Sequence, residues 1–228
     1  MLTNTEKQFS ILFCIIVLLE LLTGSVESLT NAHYIIKPAI VSSLIFLFLK
    51  GANQLETSIK RLTLAALICS VLGDIFLMFV SKSEHFFTIG LIAFLLAHLM
   101  YISVFLKHKN KDMSITVFVI LLLLYASGLF YVLKDGLGVM LIPVLIYMFV
   151  ILSMATSAYV RKHKISSISY KLVLIGAILF MISDSILALH KFYKPIPWSN
   201  ISIMLSYALA QFLIVFGILK INVTNTEV

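Results

Sequence analysis

"RLTLAALICSVLGDIFLMFV", Arg61 to Val80, decides the fold class. Behind one basic residue it runs apolar for about the ~20 residues that a helix needs to cross a bilayer, and its only other charge is a carboxylate, Asp74. A second run, "KLVLIGAILFMISDSIL" from Lys171 to Leu187, places Asp184 after Lys171 at the spacing that separates Asp74 from Arg61. Leu62, Leu64, Ile68 and Leu77 fall opposite Leu172, Leu174, Ile178 and Leu187 in that alignment. An offset of four helices preserves orientation, so the pair reads as a parallel 4+4 internal repeat. Leucine-rich helices also match by chance, and both origins stay open.

Of the 228 residues, 61% are apolar and 12% charged, with a mean hydropathy of +1.09. Such a chain stays soluble only if most of its side chains face lipid. Eight apolar stretches stand out, roughly 9–23, 34–50, 62–80, 86–106, 114–133, 138–160, 170–190 and 200–219. The expected fold is all-α, a polytopic membrane helical bundle of about eight transmembrane helices, forming a single integral membrane domain over 1–228. The first stretch lacks the basic flank and the small-residue cleavage site of a signal peptide and is read as a retained helix.

The basic residues are informative by location. Twelve of the 17 Lys and Arg fall on one side of the expected spans, at Lys7, Lys50, Lys60, Arg61, Lys107, Lys109, Lys111, Arg161, Lys162, Lys164, Lys171 and Lys220. Four fall on the other, Lys82, Lys134, Lys191 and Lys194, and Lys37 sits at the edge of a span. By the positive-inside rule both termini are expected in the cytoplasm, in a multi-pass protein of the cell membrane. The net charge of +7 then reports topology and attraction to anionic membrane lipids, and no nucleic-acid partner is expected.

A carboxylate at the centre of a membrane helix costs roughly 2.5–3.5 kcal/mol on insertion scales, so it needs a task or a partner. At ~1.5 Å per residue, Asp74 and Asp184 each lie about 20 Å along their helices from the basic end. Glu20, Lys37, His98, Tyr101, Tyr147, Tyr207 and Gln211 come to comparable depth, which makes a polar cluster in the outer half of the bundle. Ser70 and Gly73 beside Asp74, and Gly176, Ala177 and Ala188 on the Asp184 face, leave room for close packing. Two readings stand for each member. The carboxyls are either functional or structural glue paired with Lys37 or His98. Lys37 either snorkels to the interface or binds a phosphate or carboxylate. His98, the tyrosines and Gln211 can be interhelical hydrogen-bonders only. Cys14 and Cys69 read as packing residues. A zinc site needs three or four convergent ligands, and of the six histidines only His98 is deep in a span; no metal and no cofactor are expected. Nucleophile elbows and phosphate-cradling glycine loops are missing from the sequence.

"YIIKPAI" with Lys37 and Pro38, "GDIFLM" with Asp74, "GLIAFLLAHLMYI" with His98 and Tyr101, "SDSILAL" with Asp184, and "SYALAQFLI" with Tyr207 and Gln211 occur in that order. Together they resemble the successive signatures of the YhhN and TMEM86 family, whose characterised members are lysoplasmalogenases. The first span, with Glu20, carries none of them. The resemblance implies a metal-independent membrane ether hydrolase whose lysophospholipid substrate, a lysoplasmalogen, is cleaved at its vinyl ether bond to a fatty aldehyde and glycerophosphoethanolamine or glycerophosphocholine. It makes Asp74 and Asp184 the catalytic acids, one protonated and one ionised, as in glycosidases that work around an oxocarbenium-like centre. Lys37, His98 and Tyr147 would bind phosphate or orient water and carboxylate. Two other classes remain open: a proton-coupled carrier, for which Pro143 is the only mid-span helix breaker, and a non-catalytic lipid-binding membrane protein.

Overall fold

Eight α-helices build residues 3–221, the part of the chain that the computed structural model describes: α1 (Asn4–Thr23), α2 (Thr30–Gly51), α3 (Thr57–Met78), α4 (Glu84–Leu106), α5 (Thr116–Leu133), α6 (Leu141–Tyr159), α7 (Ser167–Phe192) and α8 (Ser199–Leu219). There is no strand among the described residues, and the ends of the domain expected over 1–228, residues 1–2 and 222–228, lie outside them. Helices α2 to α8 are the 7 that are long and apolar enough to cross a membrane. Helix α1 is the eighth, and it differs by carrying Glu6, Lys7 and Glu20. The chain is a polytopic membrane helical bundle.

Lipid is the solvent that makes this arrangement stable. Large apolar side chains such as Ile35, Val117, Ile142 and Phe149 point outward and are more than two thirds exposed, at 74%, 71%, 68% and 72%. Inside a bilayer the backbone must satisfy its own hydrogen bonds, so the segments are helical throughout. Helices α1, α4 and α7 start before the expected apolar runs because polar residues cap them, whereas α5 and α6 start two to three residues inside theirs. Thr3 and Glu6 form a capping box at α1, and Ser83 and Ser166 accept the first free N–H groups of α4 and α7. Before α8 the chain turns through Trp198 at φ 58°, and His190 Nδ1 of α7 accepts the Ile196 N–H at 3.1 Å, tying this turn back to the bundle.

Two features differ from the sequence reading. Pro143 lies in the first turn of α6, where the missing N–H has no intrahelical partner to lose, so it does not break a span. Pro38 is the proline inside a helix, within α2. The cysteines are free, Cys14 exposed on α1 and Cys69 only half-buried, so neither is a core thiol.

The closest-packed pairs are α3 with α4 and α7 with α8, the pairs that an offset of four helices superimposes. Glycines set both distances. A Cβ on Gly73 would stand 2.6 Å from the Phe94 ring of α4, and one on Gly176 would stand 2.8 Å from Ile214 of α8. Helix α5 lies at the margin and buries only Leu122 and Leu133.

Candidate active site

Asp74 shares a buried face of α3 with Ser70 and Gly73, as their i, i+3, i+4 spacing requires. The Tyr207 hydroxyl of α8 donates to Asp74 Oδ2 at 2.8 Å. One turn further along α8, Gln211 donates from Nε2 to Ser70 Oγ at 2.9 Å and accepts the Tyr101 hydroxyl of α4 on Oε1 at 2.8 Å. Ser70 in turn donates to the Ala66 carbonyl. Three helices are thus stitched together under one carboxyl by groups that satisfy one another, which is the only economical way to keep them in lipid.

Asp184 is held differently. The Tyr147 hydroxyl of α6 donates to Asp184 Oδ2 at 2.5 Å, and His98 Nε2 of α4 stands 4.0 Å from the same oxygen, too far for a hydrogen bond. Both ring nitrogens of His98 are buried without a partner among the described residues. Its ring is clamped edge to face by Phe180 at 4.6 Å and Tyr147 at 5.3 Å. Phe180 also packs on Tyr207 at 5.3 Å, and Phe94 on both, so an aromatic wedge joins the two carboxyl sites. Asp74 is close enough to act on Asp184 electrostatically. The hydrogen bonds of both carboxyls come from tyrosines, while His98 stands at ion-pair range of Asp184 and Lys37 acts on Asp74 only from a distance.

Two neighbouring spaces adjoin the polar cluster. Asp184 and Tyr147 face an otherwise apolar cavity of about 60 Å³ between α5 and the rest of the bundle. Leu77, Phe87 and Leu187 are common to this cavity and to a larger, polar chamber of about 370 Å³, which is lined by Glu20, His33, Lys37, His190 and Lys191. On the other side Leu152 links the cavity to an apolar groove between α4, α5 and α6 that runs toward Lys109 and Lys111. Lys37 has no ion-pair partner within hydrogen-bonding reach among the described residues, and it acts electrostatically on Glu20, His33 and Asp74. Glu20 is fully buried, at 1% exposure.

Of the nine residues expected in the site, Asp74, Asp184, His98, Tyr101, Tyr147, Tyr207 and Gln211 share the hydrogen-bond and aromatic network, and Glu20 and Lys37 line the chamber. Three more belong beside them. His33 lies one helical turn before Lys37 and meets Glu20, a signal present in the i, i+4 spacing. The Tyr125 hydroxyl of α5 donates to Ser185 Oγ at 2.8 Å at the cavity wall, the one polar clasp between α5 and α7. Tyr125 lies in the middle of an apolar helix, and Ser185 adjoins Asp184. No three His, Cys, Asp or Glu among the described residues are grouped to hold a metal ion.

Carboxyls held among the helices of a lipid-embedded bundle define a multi-pass membrane protein with its polar chemistry inside the helices. The chain belongs to the YhhN family, whose model matches residues 32–218, from α2 to α8. It is 30% identical over 169 residues to lysoplasmalogenase TMEM86B of Homo sapiens, covering 73% of this chain and 67% of that one. To lysoplasmalogenase TMEM86B of Mus musculus it is 31% identical over 155 residues, 68% of this chain and 62% of that one. To lysoplasmalogenase TMEM86A of Bos taurus it is 29% identical over 177 residues, 75% and 70%. The chain thus spans about two thirds of the length of these relatives. No solved structure matches. Glu20 lies outside the family match.

Proposed function

We propose that the protein is a lysoplasmalogenase, hydrolysing the vinyl ether of a lysoplasmalogen with Asp74 and Asp184 as its acid and base. The observation that carries this reading is a pair of neighbouring spaces that share Leu77, Phe87 and Leu187, one lined by Asp184 and the other by Lys37. The small apolar cavity suits the vinyl ether end of an alkenyl chain whose remaining carbons lie in lipid, and the chamber with Lys37 suits the phosphate, so the bond between them falls near Asp184. The names of the relatives point to the same activity.

The reaction balances with water alone. One protonated carboxyl gives its proton to the vinyl carbon beta to oxygen, and the carbon attached to oxygen becomes part of an oxocarbenium ion. The other carboxylate steadies that cation and takes a proton from an attacking water, whose oxygen bonds to the same carbon. The hemiacetal then collapses: its hydroxyl loses a proton, the carbon–oxygen bond to glycerol breaks, and the glycerol oxygen is protonated. Aldehyde and glycerophospho-alcohol leave, with both carboxyls restored. Tyr207 and Tyr147 each donate to a carboxyl oxygen and so favour its anionic form in the step where it is ionised. His98, with both nitrogens free, is placed to hold the water. The surplus of basic residues on one side supports a cell-membrane protein with both termini cytoplasmic and the site in the outer half of the bilayer.

The test is aldehyde release from a lysoplasmalogen by purified protein in detergent, beside Asp74→Asn and Asp184→Asn. Activity lost in both variants, with wild-type melting behaviour, is the expected result. Undiminished activity in either variant refutes the two-carboxyl mechanism, and a folded wild type that releases no aldehyde refutes the activity and favours a carrier or binder.

A further inference from the structure

We propose that Glu20 is the headgroup-selecting residue of this site, accepting the ammonium of an ethanolamine headgroup while Lys37 holds the adjoining phosphate. The inference rests on the lysoplasmalogenase reading and adds the headgroup to it.

Glu20 ends α1 and faces the 370 Å³ chamber with Lys37 on the opposite helix. Its carboxylate is nearly unserved. Thr23 Oγ1 at 3.5 Å is its only hydrogen-bond donor among the described residues. His33 Nδ1 lies 2.9 Å from Glu20 Oε1, but no hydrogen bond is formed there, and Nδ1 is a buried atom without a hydrogen-bond partner. Beyond Thr23 and the His33 contact the carboxyl keeps acceptor capacity, since an ionised carboxylate accepts up to about four hydrogen bonds. Lys37 supplies charge at range without a direct contact. The chamber thus holds an acid paired only with a neutralisable imidazole and, near it, a lysine with no ion-pair partner among the described residues, the complement of a zwitterion whose phosphate and ammonium are two carbons apart.

The chemistry of the walls favours a primary ammonium. Three N–H donors match a carboxylate with acceptor capacity to spare and the His33 imidazole, whereas a trimethylammonium has no N–H and is recognised by aromatic faces. Phe87 is the only carbocyclic aromatic ring of the chamber, and Trp198 belongs to an adjoining, outer hollow with Glu27. Gly24 leaves the space in front of the pair open: a methyl there would stand 3.4 Å from His33 Nδ1 and 3.6 Å from Glu20 Oε1. Because Glu20 and Gly24 precede residue 32, where the family match begins, this selectivity would be set by α1 of this chain.

The experiment compares kcat and KM for lysoplasmenyl-ethanolamine and lysoplasmenyl-choline in wild type, Glu20→Gln and Gly24→Ala. Wild type is expected to favour ethanolamine in kcat/KM by about 10-fold or more, the value of roughly 1.4 kcal/mol in binding. Glu20→Gln should erase that ratio through KM for ethanolamine, and Gly24→Ala, which keeps the charge, should shrink it. A wild type that prefers choline, or an ethanolamine preference that survives both variants, overturns the proposal, as does a Glu20→Gln loss equal for both substrates, which marks a structural role. Binding of lysophosphatidylethanolamine and lysophosphatidylcholine, followed by thermal shift, separates the proposal from the activity: a preference for the former that Glu20→Gln abolishes upholds the headgroup site even if no aldehyde is released, and equal shifts with both lipids refute it.

Discussion

Deleting the hydroxyl of Tyr147 isolates one link of the site. Tyr147→Phe removes the 2.5 Å hydrogen bond to Asp184 while the ring can keep its edge-to-face contact with His98 at 5.3 Å. A hydrogen bond to a charged group contributes about 1.5–3 kcal/mol. At about 1.4 kcal/mol per factor of ten, that is roughly 10- to 150-fold in kcat if the hydroxyl stabilises Asp184 as it ionises in the rate-limiting step. Asp184→Asn removes the proton-transfer group itself and should cost roughly 10²- to 10⁴-fold. If Tyr147 acts only through Asp184, the double variant is no slower than Asp184→Asn alone, because the hydroxyl has lost its partner. The assay is the initial rate of aldehyde release in detergent at saturating lysoplasmalogen, with melting temperatures alongside to confirm folding. Additive losses in the double variant, or a Tyr147→Phe protein as fast as wild type, would refute the assignment of Tyr147 as a positioning residue for Asp184.

Gly73→Ala should destabilise the α3–α4 pair by roughly 1–3 kcal/mol, since its methyl would meet the Phe94 ring at 2.6 Å, and a melting temperature equal to wild type would contradict that packing. At the opposite end of the bundle, Glu6 pairs with Lys220 at 2.6 Å and so ties α1 to the end of α8. Burial raises the Glu6 pKa, but Lys220 and Thr3 outweigh it and hold the group below its usual 4.5. A carboxyl with a depressed folded value contributes stability that is full above about 4.5 and is lost as the pH falls through that lower value. The melting temperature of wild type should therefore drop more on acidification than that of Lys220→Ala, by no more than the ~0–1 kcal/mol of an exposed pair; parallel curves would exclude the link. Arg161 is fully buried in the turn after α6, with Nε and Nη1 lacking partners and only a 3.5 Å contact from Nη2 to Ser169 Oγ. Burial disfavours its charged form, so Arg161→Met, which keeps the stem against Phe105 without the charge, should raise the melting temperature, and a fall of several degrees would show that the guanidinium has a partner of its own.

Much of the fold was legible because lipid leaves a chain few options. An apolar stretch of the right length must be a helix, and eight stretches gave eight helices, among which α1, α4 and α7 start before their apolar runs at the capping residues Thr3, Ser83 and Ser166. Depth was legible for the same reason, since a fixed rise per residue turns position into height. That is why Asp74, Asp184, Tyr207, Tyr147 and Gln211 could be gathered from four separate stretches of sequence. Azimuth was not legible. The helices are apolar nearly all round, so composition does not say which side of α6 or α8 turns inward, and the hydrogen bond that each Asp takes from a tyrosine emerges only from packing. Tyr125 was missed on the same account: on a marginal, uniformly apolar α5 its hydroxyl carried no partner in sequence, and Ser185 is 60 residues away. Glu20 shows the converse. Its depth placed it with the others although no family signature covered it, and the structure supplies what depth lacked, a neighbouring His33 and an open face toward Lys37. If Asp74 and Asp184, which lie within the family match, meet the reacting bond as proposed, and Glu20, which precedes it, meets the headgroup, chemistry and selectivity reside on different helices and could change independently.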